Sequence, residues 1–481
     1  MSATFCSRRH FMRASAFNLG RAVALPWLLN QDGLLAAPVR PELQPTSFDL
    51  NPRQPKQSAR ARAMISLFMI GGPSHMDLFD PKPELTRYHL QKFPGEVKYD
   101  NAAEASNKVF GSPWKFSPQG QCGMELSELL PHLGSIADDV CLIRSMHTDV
   151  NNHGQSMYAL QTGRATPGRP TLGSWLTYGL GAETQELPAY VALTHPSGMP
   201  LMHGENWTSG WLPSVFQGTH IRPTEPRILN LDPPEHLAGA HQASQLQLLR
   251  KLNQEHADDH PGNHDLNARL ASYERAAHMQ TAAREALDIS NEPDYIKSLY
   301  GIDKEVTRDY GTRCLIARRL VERGVRFVQV FNVGQSWDQH GAMVSALPAL
   351  CAATDQPTAA LVKDLKQRGL LDSTVVHWGG EMGRLPVLQN DGGPEKWGRD
   401  HNTHGFSMWM AGGGFRGGHV HGATDEWGHH AVIDRVSHSD YHATLLHQFG
   451  IEHESLTYKR NGLAASLTDG QSARLVSELL G

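Results

Sequence analysis

Imidazole or carboxylate side chains that could bind a metal ion occur beside apolar segments at five places in this 481-residue sequence. Both groups bind divalent metal ions, and imidazole also carries protons near neutral pH. Sites that combine the two suit zinc, manganese or iron, whereas sites built only from oxygen ligands suit calcium or magnesium. The clusters hold His75 and Asp77; His147, Asp149 and His153; Asp338 and His340; Glu381; and Asp400, His401 and His404.

Histidine is also frequent over the whole chain, with 27 His against 15 Phe and 11 Tyr. Most of these histidines are expected to be ordinary core or surface residues. An isolated Asp-x-His pair is more often a turn than a pair of ligands. The recurrence of the clusters therefore carries more weight than any one of them.

Each cluster adjoins an apolar segment that is typical of a strand buried on both faces. The predicted strands are 63–70, 140–146, 190–194, 325–332, 374–378 and 406–411. Helices are predicted at 124–138, 305–323, 342–368 and 440–449. This alternation predicts the α/β class, with a mainly parallel sheet between helices. Because such sheets bind ligands beyond the carboxyl ends of their strands, we expect the clusters to converge on one site.

One more helix is predicted to begin inside a cluster. Asn152 is typical of a helix N-cap, and Gln155 stands at the third helical position, as in a capping box. The helix is predicted to end at Thr162-Gly163, so that His153 is its first residue. Since helix amino termini favour bound anions, the predicted site would suit an anionic substrate.

The domain organisation follows from composition. Residues 1–37 contain the Arg8-Arg9 pair of a twin-arginine export signal, and the Pro-, Arg- and Gln-rich stretch 38–60 is interpreted as a linker. One α/β domain is predicted from 61 to 455, with an irregular and helical insertion at 196–300, and 456–481 as its C-terminal tail. The export signal predicts that the protein is periplasmic or otherwise exported, and no apolar run is long enough for a transmembrane segment.

Several classes of function are disfavoured. A net charge of −5 gives no basic surface, which argues against nucleic acid as a partner. Residues 412–417 match a dinucleotide-binding pattern, but 418–422 cannot open the helix that this pattern requires. Five scattered cysteines, without a CxxC motif, allow one or two disulfides and predict no pairing.

Taken together, these segments resemble the domain-of-unknown-function 1501 family of exported bacterial proteins, which is grouped with the alkaline phosphatase and sulfatase superfamily. The resemblance runs from about residue 63 to 455. The segments that carry it are Gly71 to Asp77 and Phe79 to Pro83; Asn152-His153 and Thr162-Gly163; Trp337 to His340; Gly380 to Arg384; Gly398 to His401 and Gly412 to Gly414; Gly422 to Glu426; and Asp440 to Leu446. The resemblance implies an alkaline phosphatase/sulfatase-like core with a metal site at one edge of the sheet.

The same resemblance exposes a departure at the nucleophile. In the sulfatase pattern a helix that ends in Thr-Gly opens with the Cys or Ser that becomes formylglycine, and here His153 stands at that position. Gln155 and Met157 replace the expected Pro and Arg. His153 is therefore expected to be a metal ligand or a base, with Ser74 and Ser156 as alternative nucleophiles.

By analogy with the superfamily, the resemblance implies two metal ions, with zinc, manganese or calcium as the candidates. Arg384 would clamp an anionic substrate group, or form a structural ion pair with Glu381 or Asp400. Ser74, Asn152 and Asp400 would contact the substrate. The implied ligands of one metal are Asp338, His340, His401 and His404, and those of the other are His75, Asp77 and Glu381.

Two functions are consistent with these expectations. The first is an exported metal-dependent hydrolase that acts on phosphate or sulfate esters of a small molecule or glycan. The second is a catalytically inactive, sulfatase-like envelope protein that binds a sulfated glycan or a protein partner, which the missing nucleophile favours. The sequence does not determine the oligomeric state.

Overall fold

The computed structural model describes residues 49–97, 106–229, 231, 234, 240–260, 264–460 and 462–481. The twin-arginine segment and the first part of the linker lie outside the described residues. The fold is built around a nine-stranded sheet with helices on both faces. Its strands are β1 Ala63–Phe68, β2 Val140–His147, β3 Tyr190–Leu193, β4 Thr219–Ile221, β5 Phe327–Phe331, β6 Thr374–Gly379, β7 Phe406–Ala411, β8 His419–His421 and β9 Val436–Ser437.

The strand order is β8-β2-β7-β6-β1-β5-β3-β4, and β9 pairs with the end of β2. Neighbouring strands pair in parallel except at β7, which runs antiparallel to both β2 and β6. The amino end of β7 therefore lies at the same edge of the sheet as the carboxyl ends of β1, β2, β5 and β6. This one reversal brings the residues before β7 to the edge where the other clusters emerge.

Helices cover both faces of the sheet. They are α1 His75–Leu78, α2 Pro83–Arg87, α3 Pro131–Gly134, α4 His153–Thr162, α5 Leu172–Leu180, α6 Ala240–Asp259, α7 His264–Leu287, α8 Asp294–Leu299, α9 Glu305–Glu322, α10 Met343–Gln367 and α11 His438–Gln448. Alternate side chains of β1 point into two separate apolar cores: Ile65 and Leu67 face the core that contains α9 and α10, and Met64 and Phe68 face the core that contains α4, α5 and α11. The sheet is thus buried on both faces, as its apolar strands predict.

Four two-stranded antiparallel sheets lie outside the central sheet. They are Phe116–Gln119 with Met124–Ser127, Gly383–Arg384 with His401–Asn402, Ala423–Thr424 with Ala431–Ile433, and Tyr458–Arg460 with Leu463–Ala465. Among the described residues, no helix is both long and apolar enough to cross a membrane. The predicted insertion 196–300 contains β4, α6, α7, α8 and two short 3-10 helices, His203–Trp207 and Ser214–Phe216.

The helix predicted at 124–138 is wrong. Met124–Ser127 is a strand, and α-helix within this span is confined to Pro131–Gly134. Proline lacks an amide hydrogen and clashes in a helix interior, so Pro131 begins a helix instead of continuing one. The four described cysteines, Cys122, Cys141, Cys314 and Cys351, are free thiols.

Candidate metal centre

Four side chains from three distant parts of the chain meet at this edge of the sheet. His153 is the first residue of α4, just after β2, while Asp338 and His340 lie between β5 and α10. His401 lies in the short strand before β7. One potential ligand atom from each of these residues lies within 4.8 Å of all the others. Within the described parts of the chain, this is the one group of three or more His, Cys, Asp or Glu that could hold a metal ion.

Asp338 is the hub of the group. Its Oδ1 atom lies 3.1 Å from Nε2 of His153, 2.9 Å from Nε2 of His340 and 3.3 Å from Nε2 of His401. The Nε2 atoms of His340 and His401 are 3.1 Å apart. His153 and His401 are buried, whereas the side chain of His340 is 35% exposed, so solvent reaches the group from the side of His340.

The opposite ring nitrogens are fixed by acceptors. Nδ1 of His153 lies 2.7 Å from Oε1 of Glu381, and Nδ1 of His401 lies 3.0 Å from the carbonyl oxygen of Asn151. Nδ1 of His340 lies 3.3 Å from Oε1 of Gln389. Because these partners accept hydrogen bonds, each Nδ1 donates to the group behind it, and each Nε2 lies beside Asp338 Oδ1, where a metal ion would bind.

Electrostatics within the group follow from one carboxylate that faces several donors. Burial opposes protonation of His153, but the neighbouring carboxylates of Asp338 and Glu381 outweigh it and raise its pKa to about 9. The carboxylate of Asp338 also raises the pKa of His340, against the effect of burial. Burial favours the neutral form of Asp338, yet the three histidines that face it hold its pKa well below the ordinary value.

Arg384 stands behind Asp338. Its Nη2 donates to Asp338 Oδ1 at 2.6 Å and also to the carbonyl of Gly71. Its Nε donates to the carbonyl of Gly72 at 2.9 Å, and its Nη1 to that of Arg399 at 3.1 Å. The guanidinium is buried and bonded to protein through all three nitrogens, and its ion-pair partner is Asp338 rather than Glu381 or Asp400. A role as an anion clamp stays a prediction.

The ligands implied for a second metal are engaged with other groups. Asp77 accepts two hydrogen bonds from Arg399, at 2.8 and 3.2 Å, and one from Ser74 Oγ at 2.5 Å. His75 donates through Nε2 to the carbonyl of Gly428 at 2.7 Å. Among the described residues, the structure therefore brings one metal-capable group together rather than two.

The remaining predicted site residues lie around this group. Glu381 is buried behind His153, where its Oε1 also accepts from the backbone amide of Gly71 at 2.9 Å, and its Oε2 has no described partner. Asp400 Oδ1 accepts from the backbone amide of His401 at 2.8 Å. His404 is exposed and lies against the rings of His429 and His430, with ring centroids 5.7 and 4.8 Å away.

Asn152 is the N-cap of α4, as predicted, and its side chain accepts from the backbone amide of Gln155 at 3.4 Å. Sequence reasoning missed Gln389, the partner of His340. Gln389 is buried and makes a backbone bond to Gly398, but it belongs to no cluster and no motif. Nothing in its local sequence could have identified it.

The chain matches one protein family and has distant structural similarity to several enzymes. Residues 61–480 match the model of the family described as protein of unknown function (DUF1501). No curated protein matches the chain. The PsFucS1 sulfatase from Pseudoalteromonas sp. has a similar structure, with a TM-score of 0.35 and 13% identity over 82% of this chain and 69% of that chain. The phosphonate monoester hydrolase SpPMH from Silicibacter pomeroyi gives 0.33 and 11%, over 81% of this chain and 73% of the other.

The alkaline phosphatase from the Antarctic bacterium TAB5 has a TM-score of 0.27 and 9% identity, over 74% of this chain and 92% of its own. These likenesses are distant in both sequence and structure. The predicted α/β class with a mainly parallel sheet is confirmed. The predicted family is confirmed by a match that covers nearly all of the described chain. The chain belongs to the DUF1501 family.

Proposed function

We propose that this protein is a metal-dependent hydrolase that acts on phosphate or sulfate esters. The observation that carries the proposal is the convergence of three imidazole Nε2 atoms on one carboxylate oxygen of Asp338, at 2.9 to 3.3 Å. Each of the three rings has its Nδ1 bonded to an acceptor behind it, which is the usual arrangement of metal-ligating histidines.

The donor set fits a divalent metal ion. The Nε2 atom of His153 is buried and makes no well-aligned hydrogen bond, although it lies 3.1 Å from Asp338 Oδ1. A buried ring nitrogen in this position lacks a partner that a cation would supply. Three imidazoles and one carboxylate suit zinc or manganese better than calcium. His153, Asp338, His340 and His401 would hold the ion, which would supply Lewis-acid activation of water and shielding of ester charge.

The residues around the ligands keep this set in place. Glu381 orients His153, and Arg384 balances the charge of Asp338. Asn152 is exposed next to His153 and is the predicted substrate contact best placed to meet a ligand that enters from solvent. Ser74 is buried and bonded to Asp77, which supports a structural role for it. Export of the protein is part of this proposal and rests on the twin-arginine pattern of residues 7–13.

An inactive, binding-only protein is the second candidate. His153 occupies the helix position at which the sulfatase pattern has its nucleophile, and this observation favours a protein that binds a sulfated glycan or a protein partner without turnover. The two candidates differ in whether a bound metal ion is accompanied by hydrolysis.

The test combines metal analysis with a panel of phosphate and sulfate esters on the protein purified after export by its own signal. A matched pair of variants, His401→Gln and His404→Gln, changes two histidines three positions apart, and His401 alone lies in the ligand group. We expect about one metal ion per chain, hydrolysis that a chelator abolishes, and loss of both in His401→Gln but not in His404→Gln.

Less than one metal ion per chain together with chelator-insensitive hydrolysis would contradict the proposal. Equal loss of metal in the two variants would restore His404 to the ligand set. A stoichiometric metal ion without turnover of any ester would favour the binding protein.

A further inference from the structure

Two consecutive residues of the insertion have a backbone conformation that side chains disfavour. Met202 has φ of 67° and His203 has φ of 48°, and neither is glycine. The left-handed region is uncommon for residues with a β-carbon, and bulky side chains there are strained. The Pro200–His203 turn is closed by a hydrogen bond from the amide of His203 to the carbonyl of Pro200, at 3.0 Å.

The strained turn is held in place by a buried amide. Nδ2 of Asn206 donates to the carbonyl of Leu201 at 2.6 Å and to that of His203 at 2.8 Å. Oδ1 of Asn206 accepts from Nε2 of Gln161 at 2.8 Å, and Gln161 in turn accepts from Gln329 at 3.0 Å. Asn206 is 2% exposed, and it is connected through Gln161 of α4 to Gln329 of β5, so the sheet itself braces the turn.

The turn stands against the start of α4. Met202 Sδ lies 3.0 Å from the position that a β-carbon would occupy on Gly154, the residue that follows His153. Asn152 Oδ1 lies 3.5 Å from the same position. His203, the next residue of the turn, is exposed. The turn therefore adjoins the helix start that carries both the ligand His153 and the exposed Asn152.

We propose that the Pro200–His203 turn determines which esters the site accepts, with Met202 as the packing residue and His203 as the contact to the alcohol portion of the ester. This inference rests on the proposed function. A metal ion held by His153, Asp338, His340 and His401 (the Asp338 group) and the start of α4 would both attract the anionic group of the ester. The alcohol portion would extend beyond that group, and the braced turn adjoins the same helix start through Met202. A strained backbone that is held by buried hydrogen bonds is typical of sites where position matters more than stability.

The test separates the imidazole of His203 from the shape of the turn. Asparagine tolerates the left-handed conformation, so His203→Asn retains the turn and removes the imidazole. We expect this variant to change the ratio of kcat/KM between two esters that share an anionic group but differ in the alcohol by about tenfold or more, since single polar contacts discriminate on this scale. The preference between phosphate and sulfate on one alcohol should change by less than about twofold, and the metal content should not change.

A second pair of variants tests the strain. The control Leu90→Gly, at φ of 64° on a residue outside both the turn and the metal centre, should raise the Tm, because glycine relieves left-handed strain. Met202→Gly relieves the same strain but loses the packing of Met202 against α4, so its Tm should rise by less. Only Met202→Gly should lower kcat/KM, because the Pro200–His203 turn then loses the side chain that packs against α4.

An unchanged alcohol ratio in His203→Asn, with hydrolysis intact, would overturn this inference and leave the proposed function standing. If esters bind without turnover, the ratio of Kd values replaces the kinetic ratio in the same comparison. Absence of both binding and turnover in the unmodified protein would overturn the proposed function, and this inference with it.

Discussion

Two groups of histidines in this molecule differ in what surrounds them. At the Asp338 group, each imidazole meets a carboxylate oxygen, and the pKa of His153 rises to about 9 despite burial. The second group is buried and consists of His377 in β6 and of His438 and His442 in α11. There, burial lowers the pKa of His377 and His438 to about 3 and that of His442 to about 4. In the part of the chain that the structure describes, none of these three has an acidic partner.

Histidine therefore has two different roles in this molecule, one at the candidate metal site and one in the packing of the core. His377 is bonded to Ser66 Oγ at 3.0 Å, and His442 donates to the carbonyl of Leu160 at 2.7 Å. Leu160 lies in the last turn of α4, where helix carbonyls lack partners within the helix. His442 is thus a neutral donor that completes backbone hydrogen bonding, whereas His377 is paired with a hydroxyl. The Asp338 group instead combines imidazole with a charge that a cation can share.

The largest expected effect comes from removing that charge. Asp338→Asn keeps the size of the side chain and takes away the oxygen charge on which the three histidines converge. We expect loss of the metal ion and a decrease in kcat/KM of about 1,000-fold or more, because Lewis-acid stabilisation is worth several kcal/mol. Metal analysis and steady-state kinetics check this, with His442→Gln as the control from the core group. Retention of the metal ion by Asp338→Asn would contradict a metal-binding role for this group.

Substitution of a histidine in the core group should lower the free energy of unfolding rather than the activity. His442→Ala opens a cavity and leaves the Leu160 carbonyl without its donor, so we expect a loss of about 2–4 kcal/mol in the free energy of unfolding. Urea denaturation measures the loss, and metal content per folded chain should stay the same. A metal deficit without destabilisation would show that the two groups are not separate.

The pH dependence of stability should have opposite signs in the two groups. A buried histidine with a lowered pKa stabilises the fold fully above its unfolded pKa of 6.5, and this stabilisation is lost as the pH falls. Each of His377 and His438 should lose about 2 kcal/mol from about pH 7 to about pH 5. The raised pKa of His153 stabilises the metal-free protein below pH 6.5, and that contribution is lost as the pH rises through about 9.

Urea unfolding of the chelator-treated protein at several pH values measures the free energy of unfolding below and above pH 6.5. His153→Gln should weaken the pH dependence of this free energy above pH 6.5, and His442→Gln should remove part of the pH dependence below it. The same response from both variants would contradict the contrast between the groups.

Much of the fold was predictable because its elements have strong local patterns. β7 was predicted with its observed bounds, and β1 begins where its apolar run begins. The start of α4 was predicted from Asn152, since the capping interaction lies within four residues of sequence. Strand 124–127 was missed, because its pairing with Phe116–Gln119 is an interaction that periodicity does not encode.

The location of the site at one edge of the sheet could be predicted, but its full set of ligands could not. Asp338, His340 and His401 were expected together, and the antiparallel direction of β7 explains how they meet. That the second expected ligand set does not form could not be deduced. Asp77 was as good a candidate ligand by sequence as Asp338, yet it is paired with Arg399, more than 300 positions away in the chain. Such pairings depend on tertiary packing, which one sequence does not reveal.

The long separation of the ligands along the chain has a thermodynamic consequence. Positions 153 and 401 meet only after β2, β5, β6 and β7 have assembled, so an unfolded chain offers no equivalent site. An ion that binds only the native chain adds RT ln(1 + [ion]/Kd) to its stability, or about 2.7 kcal/mol at one hundred times the Kd. The supply of metal ions would then affect the stability of the folded protein, and a bound ion would indicate that the sheet has assembled.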